Sequence, residues 1–292
     1  MRKAESVLES MKDELMTSND DTTTSRDMVD DVNSLLVIWS NDVNSPDLAE
    51  KFLRFVEKES NKSGCQWYHT RSYNLVINAW AKSERKDSID RAHALLRDME
   101  KSSKVKPDLL SYSGIISCIA KSKRSSINIT RAEDVLIELV ENNVTPDNVI
   151  YNQVINLHSK SGARGSAERC ETLLRAMQGL ANDGNDKVTP DVRTYNLVLT
   201  AWANEKGPLE AEKVLQRLEA HESIRPDSIS YVTCMDSYAR VGDAHNTLRV
   251  LSMMEKAFEK GNNNAKPTRR AYTSALNALA KSGRGDAGTV ST

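Results

Sequence analysis

Apolar residues recur along this chain in two alternating helical patterns, parted by short polar stretches that hold five of the seven prolines. The first pattern starts at an anchor, usually Tyr followed by a small polar residue: Tyr73, Tyr112, Tyr151, Tyr195, Tyr231 and Tyr272, with a weaker copy at Val32. Successive anchors lie 41, 39, 39, 44, 36 and 41 residues apart. Four residues after each anchor stands an apolar side chain (Leu36, Ile77, Ile116, Ile155, Leu199, Met235, Leu276). Seven after it the residue is mostly large (Trp39, Trp80, Ile119, His158, Trp202, Tyr238, Leu279), and eight after it always small. Offsets of zero, three, four and seven trace one face of a helix. The small neighbour admits a second helix at close range.

The second pattern follows each first one. A small residue (Ala49, Ala92, Ala132, Cys170, Ala211, Thr247) is followed four later by Leu and then, three further on, by Met, Val or Leu. Ala4, Leu8 and Met11 form an earlier copy. Lys106-Pro107-Asp108, Thr145-Pro146-Asp147, Thr189-Pro190-Asp191, Arg225-Pro226-Asp227 and Lys266-Pro267-Thr268 close the units. Proline is expected to stop the second helix, and Asp or Thr to cap the next one. Neither helix is long or apolar enough to stand alone, so the expected fold is all-α, an α-solenoid of stacked helix–turn–helix repeats. Residues 1–16 are expected to be the second helix of a truncated repeat and residues 17–31 a polar linker or insertion, disordered around Thr17 to Arg26. Residues 32–291 then form an array of about six hairpins, the last one truncated. Both ends fall mid-repeat, so the chain reads as a fragment. Asn182 to Lys187 and Gly261 to Asn264 are expected to bulge as loops.

Composition narrows the chemistry. Charged residues make up 28% of the 292, and the net charge is -1, so any polyanion must be met by a local stripe rather than by a basic domain. Cys65, Cys118, Cys170 and Cys234 form no Cys-x-x-Cys pair, which argues against a zinc site or a disulfide framework. No stretch approaches the ~20 apolar residues of a membrane span. There is no Gly-rich phosphate loop, metal-ligand cluster or nucleophile elbow, and the acids of the second helices read as a solvated face. The expectation is a protein that is not an enzyme and uses no cofactor, metal, small-molecule substrate or membrane. His158, on the packed face, is expected to be a core residue.

The string Tyr73-Asn74-Leu75-Val76-Ile77-Asn78-Ala79-Trp80-Ala81-Lys82 resembles the opening of a pentatricopeptide repeat, as does Tyr195-Asn196-Leu197-Val198-Leu199-Thr200-Ala201-Trp202. The Pro-Asp endings fit the same family, and the resemblance, to a P-type-like array, covers nearly the whole chain. The tetratricopeptide repeat, its nearest competitor, usually carries Trp near the start of the first helix, where this chain has Tyr. The resemblance implies a right-handed superhelix that binds single-stranded RNA selectively, one base per repeat. It also implies a mitochondrial or plastid setting and a role in RNA stability, processing or translation.

The polar side of the first helix is where such reading would occur. The residues one, five and nine after the anchor share a stripe: Asn74, Asn78, Lys82; Ser113, Ser117, Lys121; Asn152, Asn156, Lys160; Asn196, Thr200, Asn204; Val232, Asp236, Arg240; Thr273, Asn277, Lys281. Planar amides suit the Watson–Crick edge of a base, and a terminal cation suits a phosphate. In the family, the residue after the anchor and the last residue of the unit choose the base together. Carried over, the pairs are Asn74 with Asp108, Ser113 with Asp147, Asn152 with Asp191 and Asn196 with Asp227, which the family's rules translate as U, G, U and U. Lys82, Lys121, Lys160, Arg240 and Lys281 are the candidate phosphate contacts. Asn33 with His69 and Val232 with Thr268 depart from the usual pairs and are expected to be poor readers. Leu110, Val149 and Ile229, two before the anchor, match the aliphatic residues that sandwich bases, whereas Arg71, Arg193 and Arg270 do not. The near-neutral charge leaves a second reading open, a tetratricopeptide-like scaffold that takes a protein partner.

Overall fold

The computed structural model describes residues 21–42, 46–83, 85–122 and 126–287, so the expected helix over residues 1–16 lies outside the described residues. Among the described residues there is no strand. First helices are α1 (Asp21–Ser40), α3 (Thr70–Ser83), α5 (Leu109–Lys121), α7 (Asn148–Ser161), α9 (Val192–Asn204), α11 (Ser228–Arg240) and α13 (Arg269–Ala287). Second helices are α2 (Pro46–Ser63), α4 (Ser88–Lys101), α6 (Ser126–Glu141), α8 (Ser166–Asn182), α10 (Pro208–Glu219) and α12 (Ala244–Glu259). The array divides into two compact units, residues 1–145 and 146–292.

Within each unit the packing repeats. Neighbouring first helices of a unit lie against one another, and α2, α4, α8, α10 and α12 are each wedged between their own first helix and the next. The periodic apolar columns are the core: Ile77, Ile116, Ile155, Leu199 and Met235 are fully buried, as are Leu53, Leu96, Leu174 and Leu215. Five anchor tyrosines, Tyr73, Tyr112, Tyr151, Tyr195 and Tyr231, are buried, whereas Tyr272 is 47% exposed. Tyr231 donates to Glu219 Oε1 at 2.8 Å, and Gln178 Nε2 donates to Tyr195 Oη at 3.0 Å. His158 is buried, as its place on the packed face predicts.

Three sequence expectations need correcting. The second helices do not run to the prolines: α6 ends at Glu141, five residues before Pro146, and α8 at Asn182, eight before Pro190. Left-handed residues turn the chain instead, with Asn143 at φ 59°, Gly184 at 97° and Gly261 at 94°. The supposed linker is helical from Asp21 onward, because Met28 and Val29 join Val32 and Leu36 on one buried face. The loops after α8 and α12 each contain a single 3₁₀ turn, Asp186–Val188 and Asn263–Ala265, which plug Val188 and Ala265 into the core.

The acids of the second helices are not all solvated either. Glu50, Glu171 and Glu212 follow the small residue of their helices and are buried. Each accepts a hydrogen bond from the large residue at offset seven of the next first helix: Trp80 Nε1 to Glu50 at 2.9 Å, Trp202 Nε1 to Glu171 at 3.2 Å and Tyr238 Oη to Glu212 at 2.5 Å. An arginine of the following second helix closes the charge, with Arg91 at 3.4 Å from Glu50, Arg217 at 2.6 Å from Glu171 and Arg249 at 2.5 Å from Glu212. Where offset seven is Ile119, which has nothing to donate, His93 stands in the Glu position.

The Arg249 bond, together with the Tyr238 hydroxyl, holds the Glu212 carboxyl below its ordinary value near 4.5. Its contribution to stability is therefore complete above that value and is lost as pH falls through the lower, folded-state value. Glu212→Ala strands both donors and is expected to cost about 1–3 kcal/mol in urea unfolding at neutral pH. The deficit relative to the wild type should shrink in acid; a neutral-pH midpoint equal to that of the wild type contradicts this reading.

Candidate functional site

Four of the first helices, α5, α7, α9 and α11, begin on an aspartate. Asp108, Asp191 and Asp227 occupy the N-cap in extended conformation, and the Oδ1 of each accepts the backbone N–H three residues on, at 3.0, 2.8 and 2.9 Å. The hydroxyl of that third residue (Ser111, Thr194, Ser230) accepts the aspartate's own N–H in return, completing a capping box. The carboxylate is thereby fixed in place before any ligand arrives.

Stacking of successive first helices brings the preceding unit's asparagine to that carboxylate. Asn74 Nδ2 donates to Asp108 Oδ1 at 2.9 Å, and Asn196 Nδ2 donates to Asp227 Oδ1 at 3.1 Å. The serine of the capping box reaches the other end of the amide, with Ser111 Oγ 2.6 Å from Asn74 Oδ1 and Ser230 Oγ 2.7 Å from Asn196 Oδ1. These contacts use one amide hydrogen and Oδ1 of the carboxylate. A second amide hydrogen and Oδ2 remain, one donor beside one acceptor, which is the complement of a Watson–Crick edge.

The other expected pairs differ. Asn152 is buried near Asp191, yet no hydrogen bond joins them, and Asn152 Oδ1 has no hydrogen-bond partner. Ser113 is half-buried in α5 of the first compact unit, whereas Asp147 caps α7 of the second, accepting from Ile150 N at 2.9 Å. Asn33 accepts from Ser72 Oγ at 2.8 Å, but His69 at the cap supplies no carboxylate. Val232 is buried and Thr268 exposed.

The cations at offset nine have a role that the sequence reading missed. Lys82 Nζ donates to the Ser40 carbonyl at 3.2 Å, Arg240 Nη1 to that of Ala203 at 2.7 Å and Lys281 Nζ to that of Ala239 at 3.2 Å. Asn204, which carries no charge, does the same to the Ser159 carbonyl at 2.8 Å. In all four cases the acceptor is the residue at offset eight of the preceding first helix. Carbonyls at a helix C-terminus lack intrahelical partners and lie at the negative end of the helix dipole. Donor capacity, rather than charge, is what these positions share, and Asn204 was the signal for it. Lys121 and Lys160 are exposed.

Two residues before the anchors, Leu110, Val149 and Ile229 stand 68%, 53% and 61% exposed, on the first turn after the capping aspartate. Arg71, Arg193 and Arg270 are exposed at the same offset, but Arg270 Nη2 is committed to Asp236 Oδ2 at 2.9 Å. Asp236, which also accepts from Ser274, lines a cleft of about 480 Å³ between α11 and α13 with Arg240, Asn277 and Lys281. Among the described residues no group of His, Cys, Asp and Glu could hold a metal ion, and no helix is long and apolar enough to cross a membrane.

A family model described as PPR repeat matches residues 229–257, spanning most of α11 and the greater part of α12. Over 214 residues the chain is 28% identical to pentatricopeptide repeat-containing protein At5g25630 of Arabidopsis thaliana, covering 73% of this chain and 34% of that protein. It is 30% identical over 97 residues to the mitochondrial pentatricopeptide repeat-containing protein At5g15010 of the same plant, covering 33% of this chain and 16% of the relative. The chain thus spans about a third or less of these relatives. Other Arabidopsis relatives carry mitochondrial or chloroplastic in their names. Among solved structures, pentatricopeptide repeat protein PPR10 in complex with an 18-nt psaJ RNA element aligns over 93% of this chain and 39% of its own, at 20% identity and a TM-score of 0.44.

Arg240→Ala is expected to lower unfolding stability by about 0.5–1.5 kcal/mol by freeing the Ala203 carbonyl. Arg240→Lys should restore most of it, since Lys281 makes the equivalent bond. Equal unfolding midpoints for Arg240→Ala and the wild type contradict the capping role.

Proposed function

We propose that the chain is a pentatricopeptide-repeat protein and that it binds single-stranded RNA, taking one base at each pair of amide and capping carboxylate. The observation that carries the reading is the bond from Asn74 to Asp108 and its copy from Asn196 to Asp227. Each pair is assembled without ligand and keeps a donor and an acceptor in reserve. An exposed aliphatic residue two positions past the aspartate, Leu110 or Ile229, offers an apolar face on which a base can lie. A repeat array reading bases with two or three side chains per repeat uses this division of labour.

By the family's pairing rules, Asn74 with Asp108, Asn152 with Asp191 and Asn196 with Asp227 read U. Lys121 and Lys160 stand beside Lys82, Arg240 and Lys281 as candidates for phosphate contact, although the last three also donate to carbonyls. Relatives named as mitochondrial or chloroplastic support an organelle as the setting of the proposed work, stabilising, processing or translating a transcript. One feature favours the protein scaffold instead: a net charge of -1 gives no general attraction to a polyanion.

Asn196→Ser, which makes that site Ser with Asp, is expected to shift its preference from U towards G. Fluorescence anisotropy against short strands varied one base at a time checks this, and each good contact is worth ~1–3 kcal/mol by analogy with DNA base contacts. If wild type and variant bind every homopolymer equally, base reading is wrong. Capture of a partner that survives nuclease treatment then supports the scaffold.

A further inference from the structure

Wherever a unit opens with Asn after its anchor, the next unit carries a hydroxyl immediately before its own tyrosine. Asn33 is followed by Ser72, Asn74 by Ser111, Asn152 by Thr194 and Asn196 by Ser230. Where the opening residue is Ser113 or Val232, the corresponding residue is Ile150 or Ala271. A helix start does not require a hydroxyl at this position, since α7 is capped by Asp147 with Ile150 there, so capping alone does not explain the match.

The contacts supply a reason. An asparagine side chain can present its oxygen or its nitrogen in either of two orientations, and exchanging them swaps acceptor for donor. At Asn196 both ends are held: Nδ2 by Asp227 Oδ1 at 3.1 Å and Oδ1 by Ser230 Oγ at 2.7 Å. Asn74 is held in the same way by Asp108 and Ser111, and the oxygen of Asn33 by Ser72. The threonine case is the natural control. Thr194 keeps the capping box, and its hydroxyl lies 3.0 Å from Asp191 Oδ1 just as those of Ser111 and Ser230 lie 3.0 Å from Asp108 and Asp227, yet it makes no bond to Asn152, whose Oδ1 is left buried without a partner.

We propose that the serine before the anchor tyrosine is a positioning residue for base choice by the preceding repeat, locking the reading amide with its N–H face to the carboxylate. This rests on the RNA reading above. Ser111 and Ser230 make sharp readers of the Asn74 and Asn196 pairs, and Thr194 leaves Asn152 a looser one.

The test compares wild type, Ser230→Ala, Ser230→Thr and Thr194→Ser with two readouts. One is the side-chain amide NMR signal of the relevant asparagine in the free protein. The other is affinity for short single strands in which each position is varied through the four bases. Ser230→Thr is expected to unfold at the wild-type midpoint, because the capping box survives. It should release the Asn196 amide to faster exchange and reduce preference at one strand position by about fivefold or more, the others unchanged. Ser230→Ala should do the same to the amide and the preference, with some loss of stability. Thr194→Ser should slow exchange at Asn152 and sharpen one other position. If the wild type discriminates and the serine variants discriminate identically, this inference is overturned and the RNA reading survives. A wild type indifferent to base everywhere overturns both, and the amide signals then report whether serine locks the asparagine for some other reason.

Discussion

A single carboxylate oxygen organises the repeat junctions at Asp108 and Asp227. Oδ1 of Asp108 or Asp227 caps a helix, accepts from the preceding asparagine and shares the capping serine with it. The start of one helix, the stacking of its neighbour and the orientation of the candidate reading group are therefore one set of hydrogen bonds. A N-cap of this kind is worth about 1 kcal/mol, and losing it disturbs the site along with the fold. Binding groups held by the scaffold's own bonds lose little freedom when a ligand arrives, which is the advantage of preorganisation.

The same economy recurs on the other side of the helices. Donors at offset nine close the carbonyl end of the preceding first helix, and buried glutamates tie the offset-seven aromatics to arginines of the following second helix. Polar groups inside a repeat array must be satisfied across junctions, since no repeat is large enough to satisfy them alone. Bonds between repeats thus fix the register at which successive first helices stack. Register in turn decides whether asparagine meets aspartate.

How much of this was legible in the sequence follows from its periodicity. Columns such as Ile77, Ile116 and Ile155 announce themselves because burial demands the same kind of residue at the same offset in every unit. The pairing of Asn74 with Asp108 was legible only through family resemblance; nothing in local spacing says that residues 34 apart touch. Junction polar groups were hidden for a different reason. Glu50 and Lys82 look like surface residues one at a time, and their burial or bonding appears only when read against the neighbouring unit, Glu50 against Trp80 and Lys82 against Ser40. Helix ends were misplaced because proline marks where a helix cannot continue, while Asn143 and Gly184 turn the chain several residues sooner.

The central claim is that the first-helix face bearing the asparagine–aspartate pairs is where a nucleobase sits. Photocrosslinking of a 4-thiouridine-containing single strand to the protein, read out by peptide mass spectrometry, addresses it directly. Attachment should fall at or beside Asn74, Asp108 and Leu110 and at or beside Asn196, Asp227 and Ile229, the paired residues and the exposed aliphatics. Attachment confined to the second-helix faces, around Arg131 or Lys213, contradicts the account.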